Sequence, residues 1–351
     1  MKDAFESGAD FASVRNTMRT VIRVDSSCEI GSGHLYRCLT LADRWKKEGE
    51  EVLFISRDLP GNLSSLVEER GYVLYKLPAH PKDPSLTGYA AWLTVPQKTD
   101  AEETAKILRE LAPVDRLAVD SYAVSAEWET SLRPYVREIF VIDDLANRKH
   151  DCDVLLDQNF YLNKEERYQG LVPDGCRLLL GPEYALLRDE FYEAGKHIRK
   201  RDGAVRNILV FYGGIDKTDE TGKAVLALSK VCDPVVSVNV IVGLSNPQKL
   251  KIQEACRRFG FHYFCQVNNM AQRMNEADLI LCAGGTTTWE HLYLRVPAIV
   301  TAVAENQVKI CEDCSKAGFF TYLGYCSSVS AEMIEGAVRD FMDKKKPKQA
   351  E

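Results

Sequence analysis

The stretch that most constrains this chain is Val21-Ile22-Arg23-Val24, continued by Asp25-Ser26-Ser27-Cys28-Glu29-Ile30-Gly31-Ser32-Gly33-His34. A β-branched run reads as a buried strand, and the small polar residues and glycines after it read as a turn. Leu35, Cys38, Leu39, Ala42 and Trp45 then recur at helical spacing and share one face, with Gly49 as the stop. A strand that turns directly into a helix opens a parallel α/β unit. The pattern predicts His34 in the first helical turn, beyond the end of a parallel strand, where open α/β sheets bind ligands. Gly31 and Gly33 permit close approach, and the free N–H groups of a helix start favour an anion. The same partial positive charge favours a neutral imidazole, able to accept a proton.

At 351 residues the chain is too long for one ordinary domain, so two are expected. The first series continues with strands at Val52–Ile55, Tyr72–Tyr75, Leu117–Asp120, Glu138–Asp143 and Val154–Asp157, with a short helix near 63–69 and an amphipathic one over 100–111. Residues 78–98 read as a long loop. Several of these strands end in aspartate; the plainer reading is that they cap the turns that follow. Asp143-Asp144 and Asp151-Cys152-Asp153 also suggest a metal-binding D-x-D, but capping is preferred. Around 195–206 the chain becomes charged and glycine-punctuated, as a linker does.

A second series follows: a strand at 207–212, a helix carrying Ala224, Val225 and Leu228, strands at 238–242, 261–265 and 279–282, a helix from Trp289, a strand at 297–300 and a closing helix over 331–343. The fold class is therefore α/β, with two successive parallel-sheet domains. The expected division is an extension over 1–18, an N-terminal domain over 19–200, a C-terminal domain over 205–330, and a helix with a charged tail over 331–351. Translation starting at Met18 is an alternative to Met1.

The net charge of -6 gives no basic footprint for nucleic acid, and the cluster Lys344-Lys345-Lys346 and Lys348 reads as a solvated tail. Eleven cysteines scattered through apolar runs read as reduced thiols. Cys311 and Cys314 form a lone C-x-x-C without the further ligands that zinc requires. No signal peptide or apolar run long enough to span a membrane is visible. A reduced, cytoplasmic enzyme, without metal or cofactor, is the expectation.

Two glycine-rich loops in the second half follow strands and open helices: Gly213-Gly214, and Gly284-Gly285-Thr286-Thr287-Thr288. Such loops hold a diphosphate through backbone N–H groups and hydroxyls, or are simply tight βα turns. Glu290 is placed either to accept from ribose hydroxyls or to sit favourably at a helix start. Gly31-x-Gly33-x-x-Tyr36 has a tyrosine where the dinucleotide fingerprint needs a small residue, and no P-loop lysine follows the loops.

The run Arg23-Val24-Asp25-Ser26-Ser27-x-x-Ile30-Gly31-x-Gly33-His34-x-x-Arg37-Cys38-Leu39-x-Leu41-Ala42 resembles the opening motif of the PseG family of UDP-sugar hydrolases. The similarity continues through Trp92-Leu93, Asp120-Ser121-Tyr122, Asp143-Asp144-Leu145-Ala146-Asn147-Arg148 and Asp157-Gln158-Asn159. It runs on through Gly181-Pro182-Glu183-Tyr184-Ala185-Leu186-Leu187-Arg188 and Gly284-Gly285-Thr286-Thr287-Thr288-Trp289-Glu290 to Glu305-Asn306-Gln307. The resemblance implies two Rossmann-like parallel-sheet domains of GT-B type, akin to MurG, with an interdomain cleft. It implies inverting hydrolysis of UDP-2,4-diacetamido-2,4,6-trideoxy-β-L-altropyranose by water, for pseudaminic acid biosynthesis.

His34 matches the family's general base. Asp25 and Arg37 are the next candidates near the sugar, orienting His34 or its water, or else structural. The segment Phe264 to Met270 resembles a uracil-holding loop, and Glu305, Asn306 and Gln307 complete the expected substrate contacts. The expected partners are the UDP-sugar and water, with no nucleic acid or membrane, in a monomer or weak homo-oligomer. The alternatives are a MurG-like transferase using a UDP-N-acetylhexosamine donor, and a non-catalytic UDP-sugar-binding protein.

Overall fold

The computed structural model describes residues 17–345. The extension expected at the N-terminus, apart from residues 17 and 18, and residues 346–351 of the basic tail lie outside the described residues.

β1 (Arg19–Val24) is buried along its whole length, as its β-branched residues predict. α1 (Gly33–Lys47) follows, and Leu35, Cys38, Leu39, Ala42 and Trp45 form its buried face. Arg44, Lys46 and Lys47 close its last turn, where cations complement the helix dipole. The chain then runs through β2 (Glu51–Arg57), α2 (Ser64–Glu69), β3 (Val73–Leu77), α3 (Gln97–Leu111), β4 (Val114–Asp120), α4 (Ala126–Leu132), β5 (Val136–Ile142), β6 (Val154–Asp157) and β7 (Arg177–Leu180). These strands form a seven-stranded sheet in the order β3-β2-β1-β4-β5-β6-β7. The pairings of β1 with β2 and with β4 are parallel, and Val24 stands beside Asp120 in the second. Strand order reverses between β1 and β4. The loops after those two strands therefore flank the switch point at which α/β sheets bind ligands.

The second series comprises α5 (Asp189–Gly195), β8 (Asn207–Phe211), α6 (Glu220–Val231), β9 (Ser237–Val242), α7 (Lys249–Phe259), β10 (His262–Cys265), α8 (Met270–Glu276), β11 (Leu279–Ala283), α9 (Thr287–Tyr293), β12 (Ala298–Ala302), α10 (Glu305–Lys316), β13 (Thr321–Tyr325) and α11 (Ala331–Lys345). Its six strands are ordered β10-β9-β8-β11-β12-β13. Here the reversal falls between β8 and β11, which pair in parallel with Phe211 beside Cys282. Both glycine-rich loops leave the sheet at that point.

The expected linker at 195–206 is not where the chain divides. Among the described residues, one unit comprises 17–143, 147–156 and 170–178; the other comprises 144–146, 157–169 and 179–345. The physical reason is packing. Tyr161, Ala185, Leu187 and the fully buried Phe191 share one apolar core with Leu209, Ile280 and Trp289. α11 likewise is no separate appendage, because Ile334 and Val338 are buried against Val225 and Leu228 of α6. The loop expected over 78–98 contains a 3₁₀ helix, Gly88–Leu93, whose Ala91 and Leu93 are buried.

Within the first unit, Arg23 of β1 pairs with Asp25 and Asp100 at 2.6 and 2.7 Å, and Arg57 of β2 pairs with Asp100 and Glu103 at 2.6 and 2.7 Å. Trp128 donates to Asp100 at 3.0 Å. Burial opposes the Asp100 charge, but Arg23 and Arg57 outweigh it and hold the carboxyl below its ordinary value.

Candidate active site

His34 is the second residue of α1 and is buried to 9% exposure. Its Nδ1 lies 2.7 Å from Oδ1 of Asp120, the last residue of β4. Arg37, one turn further along α1, donates to both oxygens of the same carboxylate at 2.5 and 2.7 Å. Burial pushes the Asp120 carboxyl up, yet Arg37 and then His34 outweigh it and hold it well below the carboxylate range. A carboxylate only accepts, so Nδ1 carries the proton and donates to Asp120. Arg37 Nη2 also stands 3.2 Å from Nδ1. A guanidinium only donates, so this second approach is a close neighbour rather than a competing bond. In the neutral ring, an Nδ1 that carries the proton makes Nε2 the lone-pair nitrogen.

The imidazole faces aromatic rings. Tyr122 meets it edge-on at 4.6 Å and Trp92 at 5.9 Å, and Trp92 stacks with Tyr122 at 5.7 Å. Tyr89 joins the group, 4.8 Å from Trp92 and 5.1 Å from Tyr122. The 3₁₀ helix missed from sequence carries Tyr89 and Trp92, and the residues after β4 carry Tyr122. Ahead of α1, Gly31 adopts φ +83, where a side chain would be strained. Ser27 Oγ accepts from the N–H groups of Glu29 and Ile30, shaping the turn. Gly33 opens α1, and Ser32 at its N-cap makes no side-chain cap bond.

Asp25 does not join His34. It accepts from the Arg57 N–H at 2.7 Å and pairs with Arg23, so it belongs to the buried charge network. Arg37 is brought to His34, through Asp120. The residue that sequence reasoning missed is therefore Asp120, which it treated as one of several strand-end caps. The aspartates of the suggested D-x-D sites are occupied otherwise: Asp143 accepts from Arg148, and Asp151 and Asp153 hold Arg133. A groove of about 550 Å³ on α3 and α4, lined in part by Lys98, Glu102, Arg109 and Tyr135, contains none of these groups.

In the second unit, Gly213 has φ +92 and opens the loop after β8. A Cβ on Gly243, just past β9, would run into the carbonyl oxygen of Gly214 and lie 2.5 Å from its Cα. Two backbones therefore touch there, and sequence reasoning passed Gly243 by. A Cβ on Gly284 would collide with Cys311 Sγ, so α10 can approach only a glycine. Gly285 faces Gln307, whose Oε1 accepts from Val303 N–H at 2.9 Å. Thr286 is exposed, Thr287 opens α9, and Glu305 and Asn306 open α10.

Glu290 is buried and accepts two bonds from Arg188, at 3.0 and 3.3 Å, on Oε1, while Arg188 Nη1 pairs with Glu190 at 2.6 Å. Burial pushes its carboxyl up against the pull of Arg188. The Met270 side chain is buried in the core with Ile241 and Met274, which leaves only its backbone for any ligand. Asn159 links Asp144 at 2.7 Å to Asp157 at 3.0 Å, and its Oδ1 accepts from Trp289 Nε1 at 3.3 Å. Trp289 lies on α9, immediately after the threonine loop.

Residues 208–348 match the model of the glycosyltransferase family 28 C-terminal domain. The chain is 26% identical over 303 residues to the UDP-2,4-diacetamido-2,4,6-trideoxy-beta-L-altropyranose hydrolase of Campylobacter jejuni, which covers 86% of this chain and 98% of that one. It is 24% identical over 318 residues to an uncharacterized protein of Methanocaldococcus jannaschii, covering 87% of this chain but spanning only 60% of that relative's length. Among solved structures, MurG of Acinetobacter baumannii superposes with a TM-score of 0.62 at 15% identity, covering 93% of this chain and 91% of that one. The chain is thus similar to the PseG family, as its motifs indicate, and its fold is that of two Rossmann-like parallel-sheet domains of GT-B type.

Proposed function

We propose that this protein is an inverting UDP-sugar hydrolase and that its substrate is UDP-2,4-diacetamido-2,4,6-trideoxy-β-L-altropyranose or a close diacetamido analogue. The observation that carries the reading is the short bond from His34 Nδ1 to the buried Asp120 carboxylate. It fixes one tautomer and leaves Nε2 as a base. His34 Nε2 takes a proton from water as the water oxygen attacks the anomeric carbon. The bond from that carbon to the diphosphate oxygen breaks, and UDP leaves with the electron pair. Attack opposite the leaving group inverts the anomeric centre. General-base help of this kind is worth about 10²–10⁴-fold.

The second unit holds the nucleotide. The backbone N–H groups around Gly213-Gly214 and Gly284-Gly285 and the hydroxyls of Thr286 and Thr287 face the diphosphate, where charge grows as the bond breaks. Glu290 Oε2, the oxygen that Arg188 leaves alone, accepts from the ribose hydroxyls. Backbone groups from Phe264 to Met270 take the uracil. Gln307, near the start of α10, stands beside the Gly284-Gly285 loop, and with Asn306 it serves the diphosphate or the sugar.

The competing reading is glycosyl transfer on the same kind of fold, with an acceptor hydroxyl in place of water. Incubation with the UDP-sugar alone separates the two. Stoichiometric UDP release without acceptor, with the inverted anomer appearing first by NMR, supports hydrolysis. UDP release that depends on an added acceptor rejects it.

A further inference from the structure

Outside the site described above, Cys152 and Cys176 stand out. Cys152 is buried in the segment leading to β6, and Cys176 ends the exposed turn Pro173-Asp174-Gly175 just before β7. Their sulfurs are 3.6 Å apart, and the Cys176 N–H donates to Pro173 O at 2.9 Å. Among the described residues no other two cysteine sulfurs hydrogen-bond each other. Cys282, Cys311 and Cys314, by contrast, are sealed in an apolar core.

We propose that Cys152 and Cys176 form a reversible redox site, closed to a disulfide by exchange with a low-molecular-weight disulfide such as oxidised glutathione. The sulfurs already lie in contact. A bond of about 2.05 Å needs a further approach of roughly 1.5 Å, within reach of χ1 adjustment on an exposed turn. The two thiols differ in the way such exchange requires. The hydrogen bond shared by the pair holds Cys176 below its ordinary value and pushes Cys152 up, and burial adds to the rise at Cys152. Cys176, the accessible one, is the attacking thiolate.

The steps balance. Cys176 thiolate attacks one sulfur of the external disulfide, forming a mixed disulfide and releasing one glutathione thiolate. Cys152 then gives up its proton and attacks Cys176 Sγ, displacing the second glutathione thiolate. The protein loses two electrons, the external disulfide gains them, and the two thiol protons pass to the two leaving thiolates.

The two cysteines are 24 positions apart and both belong to the first unit, whereas residues 157–169 between them group with the second. The link therefore joins the two first-unit stretches, 147–156 and 170–178, that flank that segment in sequence. The segment carries Asp157 and Asn159, the latter bonded to Trp289. This inference is independent of the proposed hydrolysis.

The test treats the full chain with oxidised glutathione, alkylates the remaining thiols and maps the peptides. The expected result is two fewer alkylated thiols than the eleven cysteines present, one peptide pair joining Cys152 to Cys176, and recovery of all eleven with dithiothreitol. Cys176→Ser abolishes the link, whereas Cys28→Ser, which removes an exposed thiol elsewhere, leaves it intact. The proposal is overturned by eleven alkylated thiols in the wild-type chain, by a link between other cysteines, or by a stable glutathione adduct on Cys176 with no crosslink. The wild-type map decides the matter even if Cys176→Ser folds poorly.

Discussion

His34 Nδ1 lies 2.7 Å from Asp120 Oδ1, although 86 positions separate the two residues. The sheet brings them together. β1 and β4 are neighbours with Val24 beside Asp120, so the helix that follows β1 starts next to the carboxylate that ends β4. Asp120→Asn keeps only one acceptor oxygen and turns an NH2 donor toward Arg37 or the Nδ1 proton, so it cannot satisfy both as the carboxylate does. The expected outcome is a fall in turnover of about 10²–10⁴-fold, with UDP affinity unchanged by calorimetry. Unchanged turnover would remove Asp120 from the mechanism.

Gly243→Ala tests the support of the loop after β8. Its Cβ would meet backbone rather than a flexible side chain, so the Gly214 peptide must move. Overpacking of this kind costs about 1–3 kcal/mol. The variant is expected to bind UDP at least about tenfold more weakly, equivalent to ~1.4 kcal/mol. Wild-type affinity would show that the Gly213-Gly214 loop does not hold the nucleotide.

Asp157 makes the second unit sensitive to pH. Burial, with Asp144 close by, pushes its carboxyl from 3.8 up to about 7. The folded chain keeps a proton that the unfolded chain has released, so stability falls as pH rises from 3.8 to about 7. Asp157→Asn removes that titration while leaving an acceptor for the Asn159 N–H. Thermal melts across this range should show a shallower decline for the variant than for the wild type. Parallel curves would contradict the assignment.

The charge network of the first unit titrates in the opposite sense. Asp100 is held below its ordinary value, so its contribution is present above the carboxylate range and lost as pH falls through it. Arg57→Met breaks the buried pair with Asp100 and the half-buried pair with Glu103 at once. Urea titration at neutral pH should record a loss of about 3–5 kcal/mol. The difference from the wild type should narrow in acid, where Asp100 protonates in both.

What could be read from the residues alone follows a physical boundary. β1 was legible because Val21, Ile22 and Val24 form a β-branched run, and α1 because its apolar residues repeat at helical spacing. Both glycine loops were legible as strand-to-helix turns because glycine pairs directly after strands mark tight turns. α7 was not legible, since only Ile252 and Cys256 on it are buried. The Gly88–Leu93 helix escaped because its order comes from distant packing on Tyr122 and from the burial of Leu93. Asp120 could be seen only as a strand-end acid like Asp143 and Asp157, because nothing local says which neighbour a strand will find. Asp25, nearer to His34 in sequence, was open to either an orienting or a structural role, and the structure pairs it with Arg23 and the Arg57 N–H instead of with His34.

The central claim is that His34 is the base, and the most direct measurement is UDP release from the UDP-sugar, without acceptor, by wild type and by His34→Asn, with UDP binding followed in parallel. Asparagine keeps a polar group near the position of Nδ1 but offers no nitrogen base. The account predicts that release falls by about 10²–10⁴-fold while the UDP dissociation constant stays within about twofold of wild type, a change of ~0.4 kcal/mol. Release at the wild-type rate by His34→Asn would contradict it.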